Sequence, residues 1–116
     1  MSTNKTMKFL VFGSSGMAGN TIATYLIQQG HNVTGFSRNS STNILTIIGD
    51  VTDIELVRNT INEGGYDCII NCIGILNQFA EENKEKAVYL NSYFPHLLVS
   101  LTKEISTQVI LMSTDC

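Results

Sequence analysis

The chain alternates short continuous apolar runs with longer stretches in which apolar residues recur at helical spacing. Phe9-Leu10-Val11-Phe12, within a run from Met7 to Phe12, is apolar at both parities and ends at a glycine cluster. That pattern predicts a strand buried on both faces, as parallel sheets require. From Met17 to Gln29, Ala18, Ile22 and Leu26 recur every four residues with Ala23 and Ile27 beside them, and Gly30 follows. This predicts an amphipathic helix closed by glycine. His31 to Phe36 and Ile44 to Ile48 predict strands two and three, with the polar Ser37 to Asn43 stretch as a loop between them. Thr52-Asp53-Ile54-Glu55 has the Ser/Thr-x-x-Glu form of a capping box, and Ile54, Val57 and Ile61 then share one helical face until Gly64-Gly65. Asp67 to Ile73 predicts strand four, and Gln108 to Ser113 strand five. Between them a helical segment, roughly 84–104, carries Pro95, which lacks a backbone donor and should kink or divide the helix.

Strands alternating with helices over short connections predict an α/β fold: a Rossmann-type, doubly wound parallel sheet in the order 3-2-1-4-5. Residues 7–116 would form the domain, and the polar segment 1–6 a frayed, disordered terminus. The chain stops directly after strand five, where a helix would be expected to cover apolar sheet surface. The expectation is therefore a domain truncated at that strand, with its substrate domain absent.

Composition narrows the function classes. At 116 residues and 43% hydrophobic content the chain accommodates one domain with a core. A formal net charge of -3 offers no basic surface for a nucleic-acid backbone. No apolar run approaches the roughly 20 residues of a membrane span, so no membrane role is expected and the default compartment is the cytoplasm. Cys68, Cys72 and Cys116 form no C-x-x-C pair, which suggests neither a disulfide framework nor a metal site; Cys68 and Cys72 read as small core-facing residues.

Candidate chemistry concentrates between strand one and helix one, where Gly13, Gly16 and Gly19 stand at G-x-x-G-x-x-G spacing. Gly13 would permit the tight turn, Gly16 the approach of a backbone to a pyrophosphate, and Gly19 close packing of helix on strand. The following helix would present unpaired N–H groups to the diphosphate of a dinucleotide. At the end of strand two, an acid favours NAD and an arginine favours NADP. Ser37-Arg38-Asn39 has no acid, so NADP is preferred over NAD, the other reading of Arg38 being a solvated loop charge. Asp50 stands where it could accept from an adenine amino group or simply form a turn; both readings remain open.

With Gly13 to Gly19, Gly49-Asp50-Val51, Asn71-Cys72-Ile73-Gly74, Asn91 and Ser113-Thr114-Asp115 in this order, the sequence resembles the extended short-chain dehydrogenase/reductases, also known as the NAD-dependent epimerase/dehydratase superfamily. Within them it looks most like the dTDP-4-dehydrorhamnose reductase branch of sugar-nucleotide enzymes. The resemblance implies that Gly13, Ser15, Gly16 and Met17 wrap a pyrophosphate and that Asp50 and Val51 flank the adenine. It further implies that Cys72, Ile73 and Gly74 form a small-residue turn against the cofactor, that Asn91 is the family's helix asparagine, and that Thr114 hydrogen-bonds the substrate carbonyl. Asp115 would reach toward the sugar nucleotide. Asn71 and Asn91 have a second reading, satisfying backbone groups, and Thr114 a second one as an ordinary strand-end hydroxyl.

In the enzyme so implied, a nicotinamide delivers hydride to the keto carbon of a nucleotide-linked sugar while a tyrosine donates a proton to its oxygen. Here the sequence departs from the family: none of its tyrosines has a lysine four residues later, so the Tyr-x-x-x-Lys pair is missing, as is the sugar-nucleotide domain. These residues alone are expected to bind the dinucleotide weakly and to turn over nothing. The implied partners are a dinucleotide and a nucleotide sugar, with a homodimer open. Two alternatives share this half of the fold: a noncatalytic dinucleotide-binding regulator resembling the regulatory subunit of methionine adenosyltransferase, and a nucleotide-sugar epimerase or dehydratase.

Overall fold

The computed structural model describes residues 5–74 and 83–112. Five parallel strands, β1 (Lys8–Phe12), β2 (Asn32–Ser37), β3 (Leu45–Ile48), β4 (Cys68–Asn71) and β5 (Gln108–Leu111), form one sheet in the order β3-β2-β1-β4-β5. The reversal of strand order falls between β1 and β4. Helices α1 (Met17–Gln28), α2 (Ile54–Gly64), α3 (Lys84–Val88) and α4 (Phe94–Thr102) connect them, with a π-helical turn, Tyr89–Tyr93, joining α3 to α4.

Strand β1 sits at the centre and explains the apolar run that marks it. Phe9 and Val11 face a core built with Ala23, Val33, Ile44, Cys68 and Ile70 beneath α1. Leu10 and Phe12 face the opposite core, where Phe36, Val57, Ile61, Ile69, Phe94 and Leu98 pack under α2 and α4. Phe12 lies 5.0 Å from the Phe36 ring and 5.3 Å from Phe94, the latter edge-on, so one side chain ties two strands to a helix more than eighty positions away. The outer strand β5 is covered less well: Ile110, Leu111 and Met112 are each more than two-fifths exposed.

Three local expectations are revised by tertiary context. Helix α2 starts one residue later than the capping-box pattern predicts. Asp53 is its N-cap, accepting from the Leu56 N–H at 3.2 Å, while Thr52 turns back onto Asp50 and Glu55 pairs with Arg58. An aspartate competes well with threonine as a cap, and Thr52 has a better acceptor elsewhere. Strand β4 ends at Asn71 because its buried side-chain carbonyl takes the Ile73 N–H at 3.1 Å and bends the chain out of the ladder. The long helix is not divided at Pro95: the backbone stays helical from Lys84 to Thr102 and widens into the π turn just upstream. Pro95 falls in the first turn of α4, where its missing donor costs least, and the wide π turn just upstream absorbs the mismatch. At α1 the pattern holds: Gly30 takes φ +89°, and the Gly30 and His31 amides close the helix onto Ile27 and Leu26.

Gly35, in the middle of β2, is required by Ser14. A Cβ at Gly35 would come within 2.7 Å of the Ser14 Cβ and closer still to its hydroxyl. That hydroxyl is fully buried with no hydrogen-bond partner among the described residues. Gly35→Ala is expected to destabilise the protein by about 1–3 kcal/mol through overpacking. In a Ser14→Gly background the same change should cost clearly less. Urea unfolding of the four members of this cycle tests the contact, and equal costs in both backgrounds would refute it.

Candidate functional site

The carboxyl ends of four strands open into one cleft of about 640 Å³ at the point where the strand order reverses. Its walls include Gly13, Ser15 and Gly16 after β1, Ser37 to Asn39 at the end of β2, Gly49 to Val51 after β3, and Cys72 to Gly74 after β4. Crevices at this position are where open parallel sheets hold ligands, because the loops on either side depart to opposite faces.

The loop bases are held by bonds that prolong the ladder. The Gly13 N–H donates to Phe36 at 2.8 Å, the Gly49 N–H to Ser37 at 2.9 Å and the Cys72 N–H to Phe12 at 2.9 Å. Gly13 has φ +83°, and a Cβ there would press on the backbone of Cys72 and Ile73 at 3.3 Å. Two constraints thus demand glycine at that turn. A Cβ on Gly19 would run into the Gly13 carbonyl, so Gly19 lets α1 seat against the loop. Gly16 differs: a Cβ there meets only the Gly13 oxygen at an ordinary 3.5 Å. Protein packing does not require its bareness; the space it leaves faces the cleft. Ser15 and Ser37 join their hydroxyls across the cleft floor.

Among the described residues, no side chain caps the start of α1. Gly16 makes no side-chain cap bond, and the first turn carries no acid. The amides there and the positive end of the helix dipole are available to an anion. A cleft lined by small residues, with that helix end opening into it, fits a dinucleotide whose diphosphate lies over the glycine loop.

Charge gathers at the β2–β3 end. Asp50 Oδ1 accepts from both the Thr52 N–H (2.9 Å) and the Thr52 hydroxyl (2.8 Å). The backbone bond from Thr52 is the main reason its carboxyl is held below the usual range, partial burial opposes this, and the Thr52 hydroxyl, Lys86 and Arg38 add to the lowering. Arg38 and Lys86 both line the cleft. Tyr89 donates to the Val51 carbonyl at 2.7 Å and so fastens the helical segment to the β3 loop. Cys72 borders the cleft while packing against the core beneath α1, and burial pushes its thiol up from the usual range.

The cleft therefore brings together Gly13, Ser15, Gly16, Arg38, Asp50, Val51, Cys72, Ile73 and Gly74 from the residues singled out in the sequence. Met17 opens α1 and is 90% exposed, outside the cleft wall. Gly19 is buried beneath the loop and acts through packing. Asn91 lies on the π-helical turn, exposed and away from the cleft wall. Thr114 and Asp115 lie outside the described residues. Asn71 is buried and bonded to the Ile73 amide, a backbone-satisfying role. Sequence reasoning passed over Phe36, Asn39, Asn83, Lys86 and Leu90, which also line the cleft. Asn83 left a readable trace as the N-cap of α3, its side chain accepting from the Lys86 N–H; Lys86 left none.

The sequence pattern of the NAD dependent epimerase/dehydratase family matches residues 9–116. Over 112 residues the chain is 29% identical to a probable low-salt glycan biosynthesis reductase, Agl14, of Haloferax volcanii, covering 94% of this chain and 37% of the reductase. Among solved structures, the epimerase Mth375 of Methanothermobacter thermautotrophicus superposes with a TM-score of 0.81 at 20% identity, over 96% of this chain and 36% of that one. The Bordetella bronchiseptica enzyme WbmG, solved in complex with NAD and UDP, superposes with a TM-score of 0.78 at 13% identity, over 92% of this chain and 37% of its own. The structural likenesses establish the fold, and the chain spans a little over a third of the length of these relatives.

The bonds around Asp50 give a test. A carboxyl whose pKa is lowered on folding adds stability above its unfolded pKa, near 3.9, and loses that contribution as pH falls through the lower folded value. Asp50→Asn is expected to cost at most about 1 kcal/mol at neutral pH, since the group is largely solvated, and less near pH 3. Urea midpoints at the two pH values check this; a cost that grows on acidification would contradict the assignment.

Proposed function

The chain belongs to the NAD dependent epimerase/dehydratase family, and on that premise we propose that it is the dinucleotide-binding portion of a reductase acting on the keto group of a nucleotide-linked sugar. The dTDP-4-dehydrorhamnose reductase type is the specific form this reading takes. The observation that carries it is the cleft at the strand reversal, where Gly16 is bare without a packing reason and the adjoining helix start is left uncapped. The reductase named for Haloferax volcanii supports the reaction class, and the NAD and UDP named for WbmG support a nucleotide-linked substrate. The epimerase Mth375 keeps a second reading in view, a nucleotide-sugar epimerase or dehydratase, since the same cleft would serve either.

When bound, a nicotinamide supplies or accepts the hydride at the substrate carbon. The chain's own residues bind and orient. Gly13 and Gly16 keep side chains out of the diphosphate path, and Ser15 offers a hydroxyl beside it. Asp50 and Val51 border the adenine, and Cys72 to Gly74 form the wall toward the nicotinamide. Arg38 receives the 2′-phosphate of NADP, which makes NADP the preferred cofactor and NAD the weaker one. Thr114 orients the substrate carbonyl. Proton donation falls to no tyrosine of the Tyr-x-x-x-Lys type within these 116 residues, so the chain by itself binds without turning over.

Titration with NADPH and NADH, followed by nicotinamide fluorescence, tests the binding. Gly16→Val should fold normally and lose at least about tenfold in affinity for both, roughly 1.4 kcal/mol; unchanged affinity in a folded variant would remove the glycine loop from the site. Arg38→Ala should weaken NADPH by about tenfold and NADH by much less. Equal losses, or tighter binding of NADH by the unaltered chain, would overturn the NADP assignment.

A further inference from the structure

The end of the cleft beyond β2 and β3 is built from two elements that the sequence separates widely. Arg38 and Asn39 come from the β2 exit and Lys86 from α3, and both cations lower the Asp50 carboxyl. The position of α3 is braced at several points. Asn83 caps it through the Lys86 N–H at 3.0 Å, Ala87 is buried, and Tyr89 is bonded to the Val51 carbonyl next to Asp50. The backbone that carries Lys86 is therefore tied to the same loop that carries Asp50. Lys86 is half-buried and Arg38 exposed.

We propose that Lys86 is a second specificity-determining cation of the cleft, acting on the 2′-phosphate of NADP together with Arg38. This rests on the dinucleotide reading of the cleft and adds a residue to it. Two cations and one carboxylate meet at this end, and Asp50 already has one oxygen engaged twice by Thr52. The described residues form their ion pair elsewhere, Glu55 with Arg58, so Lys86 and Arg38 act on Asp50 through space rather than by contact. A phosphomonoester carries about -1.5 to -2 at neutral pH, more than one guanidinium balances. The two cations divide the work by their chemistry. Arginine offers a planar fork for two phosphate oxygens, whereas lysine offers a compact charge on a flexible stem that reaches a third oxygen. A free ribose hydroxyl, as in NAD, gives neither cation a comparable partner.

The test is a set of titrations on the chain and its Lys86→Gln, Lys86→Arg and Arg38→Gln variants, each first shown by circular dichroism to be folded. The probes are NADPH, NADH, and the fragments 2′,5′-ADP and 5′-ADP. Lys86→Gln should weaken NADPH and 2′,5′-ADP by about tenfold and leave NADH and 5′-ADP within about twofold. Lys86→Arg should recover most of the loss, and the salt dependence of NADPH binding should become shallower in Lys86→Gln. Equal losses on all four probes would place Lys86 at the diphosphate and overturn the proposal. No loss on any probe would make it a surface charge and overturn it equally. If the unaltered chain binds none of the probes, the dinucleotide reading itself fails, which is a different result from a folded, binding-competent chain indifferent to Lys86.

Discussion

The close approach of the first glycine turn to the β4 exit is the contact on which the rest of the structure depends. Gly13 adopts φ +83° with the Cys72–Ile73 backbone at 3.3 Å from where its Cβ would be, and Gly19 tucks against the Gly13 carbonyl from the helix side. With both positions bare, α1 starts from Gly16, which lines the cleft at the strand reversal. A side chain at either position would push strand and helix apart and carry the anion site with it. The same geometry explains Gly35, one strand away, which yields to the buried Ser14 of the same loop.

Apolar packing and hydrogen bonding meet at the carboxyl ends of the strands, where Phe36 belongs to the core and also lines the cleft. Below the cleft, Phe12 joins Phe36 and Phe94 and holds the sheet to α4. Above it, the chain turns away on hydrogen bonds rather than apolar contacts: Gly13 to Phe36, Gly49 to Ser37, Cys72 to Phe12. Exposed cleft residues such as Arg38 and Asn39 stand apart from the core, whereas Phe36, Val51 and Leu90 belong to both.

Much of this was legible beforehand because it depends on short-range rules. A doubly apolar run followed by glycines means a buried strand and a tight turn, and five strands alternating with helices leave few topologies. Legibility failed where residues of equal local merit competed. Thr52 and Asp53 are both good caps, and the choice went to Asp53 because Asp50 offered Thr52 another acceptor. Pro95 announced a kink or division, yet the helix runs on through a π turn upstream of it, beside Tyr89 bonded to Val51 and Phe94 edge-on to Phe12. Asn91, singled out by the family resemblance, is exposed on the π-helical turn and does not line the cleft, whereas its neighbour Leu90 does.

The sequence by itself determined the order of elements, the parallel sheet, the glycine loop and Arg38 at the β2 exit, because periodicity, turn chemistry and spacing along the chain are local properties. Only the tertiary structure decided which distant side chains share the cleft. Lys86 lines the same cleft as Arg38, on a helix pinned to the β3 loop through Tyr89 and Val51. No periodicity marks it, since its neighbours in space are brought there by packing between elements far apart in the chain.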